Sequence, residues 1–205
     1  MTTSVDSASF VSRFNRILCV VCWALTAGAA AAVIWLAVIG MPIRLALLVP
    51  LGAIAAAAFV CLWRPGLTVD DDAITVNNVF ATTHIPWHSL INVDTKYALT
   101  LFTPGRRIPV TAAPAPGSIT AFRLARKEGK SRRDLVSSSR PGDLRGTDSG
   151  DAARLVRDRW ESLKRAGRIE LGRADEAMLE RHPNRGTIVT LTAGVVLSVA
   201  ALVLQ

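Results

Sequence analysis

Apolar residues in this chain come in three long blocks, with short alternating runs between the second block and the third. Ile17 to Ile39 and Leu45 to Trp63 are each long enough to cross a hydrocarbon core of about 30 Å as a helix. Gly40-Met41-Pro42-Ile43-Arg44 joins them so tightly that the two predict an antiparallel hairpin. Gly28 and Ala32 on the first helix, with Gly52 and Ala56 on the second, give the small-xxx-small spacing that permits close backbone approach. Thr187 to Leu204 is a third apolar block, at the lower limit for spanning and without a polar face. Arg13 and Arg16 before the first block, and Ala-x-Ala sites within it, also fit a cleavable leader. The block is too long for one, however, and a second follows almost at once.

Between the membrane-length blocks the period changes from helical to alternating. Leu67 to Val69 and Ala73 to Val76 flank the acidic turn Asp70-Asp71-Asp72. Thr82 to Ile85 is closed by Pro86, Ile91 to Leu101 alternates over most of its length, and Pro104-Gly105-Arg106 turns the chain back into Arg107 to Thr111. This predicts a small antiparallel sheet. From Ala112 to Gly150 the texture is that of loop, with Pro, Gly, Ser and a basic cluster, although Ser118 to Lys127 predicts a short helix. An amphipathic helix is then expected from about Asp151 to Ala166, capped by Asp148-Ser149 and stopped by Gly167. Its apolar face carries Ala152, Leu155, Val156, Trp160 and Leu163. Such a helix would cover the sheet's apolar face. A further short helix is expected over about Ala174 to Arg181.

The fold class expected is therefore α+β: an N-terminal transmembrane helical hairpin, an antiparallel sheet with a covering C-terminal helix, and a final transmembrane helix. Boundaries fall at a polar, mobile tail 1–16, the hairpin 17–63 (helices about 17–39 and 45–63), a domain 64–172 with a flexible basic insertion about 114–150, a connector 173–186 and the third span 187–204.

Charge adds orientation. The formal net charge is +8, and cytoplasmic loops of membrane proteins carry the Lys/Arg excess. Arg13, Arg16, Arg64, Arg181 and Arg185 fall on one side after an even number of crossings, with Arg44 alone opposite. The N-terminus and the domain are expected to be cytoplasmic and the C-terminus outside the cell membrane. Cys19, Cys22 and Cys61 all lie inside apolar blocks, where the thiolate is disfavoured and cysteine acts as a small hydrophobe. They offer the soluble part no disulfide framework.

Candidate chemistry is sparse. His84 and His88 would lie about 13 Å apart along a strand, too far to share an ion, and no third ligand stands at a recognisable interval. Asp70-Asp71-Asp72 lacks the glycine and terminal glutamate of a calcium loop and is expected to be a solvated turn. No phosphate loop, nucleophile elbow or zinc signature occurs, so no catalytic residue, metal or cofactor is expected. The strongest candidate for binding is the cluster Arg123, Arg126, Lys127, Lys130, Arg132 and Arg133, suited to anionic lipid or a protein partner. Nucleic acid is not expected, because no stacking aromatics are interleaved beyond Phe122. Trp87 and Trp160 are read as structural, Trp87 in the core where the sheet turns and Trp160 pinning the covering helix.

Two spans, then Arg64-Pro65-x-Leu67-x-Val69-x-x-x-x-Ile74-x-Val76-x-Asn78, then Ile85-Pro86-Trp87, then a Gly-Arg turn and Ile108-Pro109-Val110, resemble the membrane-anchored bacterial PH-like domain proteins. The nearest group is the one typified by the low-molecular-weight protein antigen 6 of high-GC Gram-positive bacteria. The resemblance covers about a quarter of the chain closely. It implies a PH-like fold, a bent antiparallel sheet closed by a C-terminal helix, and brings no settled activity. The basic insertion and the third span depart from the compact pattern. The function expected is a non-catalytic interaction or scaffold module at the cytoplasmic face, whose partners are the lipid bilayer and a membrane or cytoplasmic protein, a second copy included. The alternative is a lipid-responsive module whose basic cluster binds anionic headgroups.

Overall fold

The computed structural model describes residues 7–116, 143–144, 146–169 and 179–204. The chain divides into two compact units: Met1–Ser12 with Gly66–His182, and Arg13–Pro65 with Pro183–Gln205.

The second unit is helical. Helix α1 spans Arg13–Val38. It ends at Gly40, whose φ of 80° is the left-handed conformation that glycine adopts without a side-chain penalty. Met41 N–H then reaches Leu36 C=O and Gly40 N–H reaches Ala37 C=O, a Schellman cap that satisfies two terminal carbonyls and reverses the chain. A 3₁₀ turn, Leu45–Leu47, leads into α2, Leu48–Ala58. The last turn, Phe59–Trp63, widens to a π-helix in which Arg64 N–H donates to Phe59 C=O. The next residue is Pro65, which has no N–H to extend the ladder, so the helix stops there. Helix α4 spans Arg185–Val203 and packs along α2. Glycine allows the close approach: a Cβ at Gly194 would stand 3.2 Å from Ala53 Cβ.

Aromatic rings knit one end of this unit. Trp23 Nε1–H donates to Ala55 C=O at 3.0 Å, and its ring stacks on Phe59 and Trp63. The Arg16 guanidinium lies 5.0 Å from the centre of the Trp63 ring. Elsewhere the helices turn large apolar side chains outward, among them Leu25, Trp35, Ile54, Val195 and Leu202. All three, taken as Arg13–Val38, Leu45–Trp63 and Arg185–Val203, are long and apolar enough to cross a membrane. Outward apolar faces of this extent are what hydrocarbon surroundings require.

Among the described residues, the first unit has two antiparallel sheets and one α-helix. Its strands are β1 (Ala8–Phe10), β2 (Gly66–Val69), β3 (Ala73–Asn77), β4 (Ala81–Pro86), β5 (Asn92–Asp94), β6 (Ala98–Thr103), β7 (Arg106–Pro114) and β8 (Glu180–Pro183). The sheet orders are β1-β2-β3-β4-β8 and β5-β6-β7. Alternation decides which face is buried: Leu67 and Val69, Ile74 and Val76, Leu99 and Leu101, Ile108 and Val110 all point into one core. Helix α3, Asp148–Arg165, adds Ala152, Ala153, Val156 and Leu163 to it.

The sequence reading is met in outline and altered at particular places. The tail 1–16 is not all tail: Ala8, Ser9 and Phe10 pair with Val69, Thr68 and Leu67 at the sheet edge. Ser12 Oγ then donates to the Asp148 carboxylate. Local sequence gives no sign of this, because three residues become a strand only when β2 offers its edge. The α3 cap is Thr147, whose Oγ1 accepts from Gly150 N–H at 3.0 Å, in place of Asp148-Ser149. Of the helix expected over Ala174 to Arg181, residues 174–178 lie outside the described residues, and Glu180 and Arg181 belong instead to strand β8, which β4 pairs. Helix α4 begins at Arg185, two residues earlier than expected. The helix expected over 118–127, and most of the basic insertion, lie outside the described residues.

The two sheets meet at Asn78, just after β3. Its Nδ2–H donates to Pro109 C=O at 2.7 Å, while Oδ1 accepts from Thr111 N–H at 2.8 Å and from Thr111 Oγ1–H at 2.8 Å. One amide thus occupies the outer edge of β7 as a neighbouring strand would. Replacing Asn78 by alanine leaves the Pro109 and Thr111 backbone groups without these partners, and we expect a loss of about 1–3 kcal/mol. Aspartate, which accepts but does not donate, should restore only the Thr111 contacts. Thermal unfolding of the full chain in detergent, comparing N78A and N78D with the parent, checks both.

Candidate functional site

Two hairpin turns and an edge strand build a concave surface on the first unit. The β3–β4 turn carries Val79 and Phe80. The β6–β7 turn is set by Gly105, whose φ of 70° is left-handed, and by Thr103 Oγ1–H donating to Arg106 C=O. Strand β8 adds Arg181 by lying beside β4. Together they line a groove of about 620 Å³ whose walls include Phe80, Ile108, Arg106, Arg107 and Arg181.

The groove is positively charged. Arg106, Arg107 and Arg181 are all exposed, and among the described residues none of them makes an ion pair with a carboxylate. The Arg107 guanidinium lies 5.3 Å from the centre of the Phe102 ring, its cross-strand partner. Stacking holds the flat face of the guanidinium and leaves the N–H donors around its rim available. Phe80 is 60% exposed beside these charges. An arrangement of forked donors around an exposed ring suits recognition of carboxylate or phosphate groups that carry apolar neighbours.

Several other charged groups of this unit are engaged in structural contacts. Asp71, expected to be solvated with Asp70 and Asp72, bridges Arg159 on α3 and Arg168 beyond it. The Arg168 position follows from Gly167, at φ 66°, where Arg168 N–H caps Leu163 C=O and turns its side chain back toward the β2–β3 turn. Arg157 donates to Asp143 Oδ1 and to Val93 C=O, both at 3.0 Å, and Thr95 Oγ1–H donates to the same Asp143 oxygen. These bonds, with Val93 N–H donating to Asn92 Oδ1, cover the outer edge of β5.

Trp87 is buried, and its Nε1–H donates to Asp70 C=O at 2.9 Å, tying the end of β4 to the acidic turn. Trp160 packs partly buried against the core from α3, and its indole N–H is buried with no partner among the described residues. His84 and His88 are not brought together. His84 instead faces His182 across β4 and β8, with ring centres 6.3 Å apart, and its Nδ1 bonds Thr75 Oγ1. Among the described residues no group of three or more His, Cys, Asp or Glu side chains could hold a metal ion. Cys19, Cys22 and Cys61 are free thiols on α1 and the end of α2. Arg123, Arg126, Lys127, Lys130, Arg132 and Arg133 lie outside the described residues. The groove was missed from sequence. Arg106-Arg107 after a Pro-Gly turn was a usable signal, but Arg181 joins them only through the pairing of β8.

The hydrogen bond from Arg168, then the charges of Arg159 and Arg168, hold the Asp71 carboxyl below its ordinary value of 3.8. A depressed carboxylate stabilises the fold above its unfolded pKa, and that contribution disappears as pH falls through the lowered folded value. We expect Asp71→Asn to lower the unfolding temperature at pH 7. The gap to the parent should shrink below about pH 4 and close in stronger acid. Thermal scans from pH 7 to pH 2 read this directly.

No curated protein and no solved structure matches the chain. Residues 64–166, half of the 205-residue chain, match the family model described as bacterial PH domain. That span begins at the Arg64-Pro65 exit from α2 and ends with α3, taking in β2 to β7 and the helix that covers them. The chain belongs to the bacterial PH domain family.

Proposed function

We propose that this protein is a membrane-anchored, non-catalytic interaction module that holds a protein partner, or a second copy of itself, at the cytoplasmic face of the cell membrane. The observation that carries this reading is the open groove with its uncompensated arginines on a PH domain that is continuous in sequence with membrane-length helices. Its walls offer recognition groups, guanidinium, amide and aromatic ring, on hairpin turns held by a rigid core. The charge bias of Arg13, Arg16, Arg64, Arg181 and Arg185 supports a multi-pass topology with the N-terminus and PH domain inside and the C-terminus outside. The resemblance to the antigen 6 group of high-GC Gram-positive bacteria supports the same bacterial setting. Crosslinking of the full chain in its native membrane should yield a discrete heteromeric or homomeric adduct. Recovery of the monomer alone, at crosslinker levels that trap a known membrane complex, would count against the module.

The same three arginines favour a second reading, a lipid-responsive domain whose conformation follows the anionic headgroup content of the bilayer. The cluster from Arg123 to Arg133 would add to that response. Hydrogen exchange on the full chain in neutral and in anionic nanodiscs separates it. Protection of the β3–β4 and β6–β7 turns should rise with anionic lipid, and equal protection in both discs would sink it.

A further inference from the structure

We propose, resting on the interaction-module reading, that the groove between the β3–β4 and β6–β7 turns binds an extended acidic peptide segment of a partner protein. Carboxylates of that segment meet Arg106, Arg107 and Arg181, and an apolar side chain of the segment rests on Phe80.

Charge selects the chemistry. The three arginines bring guanidinium groups to one concavity, and among the described residues no acidic side chain lines it. Arginine's planar fork matches a carboxylate through two parallel hydrogen bonds, and the Arg107 guanidinium lies over the Phe102 ring beside the groove. Shape selects among anionic partners. A groove of about 620 Å³ lies within the range that encloses a sizeable ligand, and it exceeds what one phosphate fills. Val79, Phe80 and Ile108 supply apolar surface between the charges. A flat bilayer surface laid across this concavity would leave that apolar lining facing water, whereas an extended chain alternating acidic and apolar side chains covers both. Arg157, Arg159 and Arg168, by contrast, are engaged with Asp143 and Asp71.

The test uses the full chain in nanodiscs of neutral phosphatidylcholine and a fluorescein-labelled synthetic peptide alternating glutamate with leucine, read by anisotropy. We expect saturable binding that weakens as salt is raised. It should fall about tenfold or more when R106A, R107A and R181A are combined. A peptide with glutamine for glutamate should bind as poorly as the triple variant leaves the acidic one, and this comparison holds even if the variant misfolds. Absence of saturable binding, equal binding by the triple variant, or equal binding of the glutamine peptide overturns the assignment. So does displacement of the peptide by anionic lipid added to the discs at a level that itself protects the groove, which would give the arginines to headgroups. Repeating the membrane crosslinking with the triple variant separates the two readings. An adduct that persists without the arginines overturns the groove and leaves the interaction module standing. Loss of that adduct in the variant, with the parent still crosslinked, supports both.

Discussion

The covering of the two sheets by α3 is the contact on which the rest of this PH domain depends. Neither a five-stranded nor a three-stranded sheet can leave one apolar face in water, and alternation commits every strand of β2 to β7 to such a face. Ala152 and Ala153 let the helix backbone lie close to the strands, and Val156 and Leu163 fill the space further along. Both ends of α3 are then held by specific bonds. Thr147 caps its start, and Asp143, just before it, is gripped by Thr95 and Arg157. At its end the Gly167 turn delivers Arg168 to Asp71. Because Asp71 sits in the β2–β3 turn and Asp143 bonds Thr95 beside β5, the helix fastens one sheet at each end.

With the core closed in this way, sheet edges become the remaining problem, and the chain deals with each differently. Strand β1 covers β2, and β8 covers β4. Side chains of Asn92 and Arg157 occupy the edge of β5, and the Asn78 amide occupies that of β7. Each device protects a strand edge from unplanned pairing. The candidate groove arises from the same contacts. Asn78 draws the β3–β4 turn against β7, β8 extends the sheet past it, and the hollow left between them is where the unpaired arginines collect.

The helical unit follows a different solvent logic. Its large side chains face outward, as they do in helices apolar enough to cross a membrane, and the polar ends are finished locally. Arg64 donates to Thr187 at 3.1 Å, Arg16 lies over Trp63, and Pro65 ends the helix before the sheet begins. The family match starts at this Arg64-Pro65 exit from the helix.

How much of this could be read from residues alone depends on the range of the physics involved. Periodicity and composition are local, so the three membrane-length helices, the strands from Leu67 to Thr111, the α3 face and the stops at Gly40 and Gly167 were legible from neighbouring residues. The PH resemblance rested on Arg64-Pro65, Ile85-Pro86-Trp87 and Ile108-Pro109-Val110, which mark where that local pattern bends. Pairing is not local. Ala8–Phe10 has too few residues to announce a strand, and Glu180–Pro183 reads as the end of a helix until β4 claims it. The acidic turn looked solvated because its partners, Arg159 and Arg168, stand far along the chain. Sequence therefore determined the architecture and its membrane character. Only the tertiary structure decided which charges Asp71 and Asp143 engage and that Arg181 comes to lie beside Arg106 and Arg107. Neutralisation depends on distance in space, and Asp71 and Arg168 are 97 residues apart in the chain.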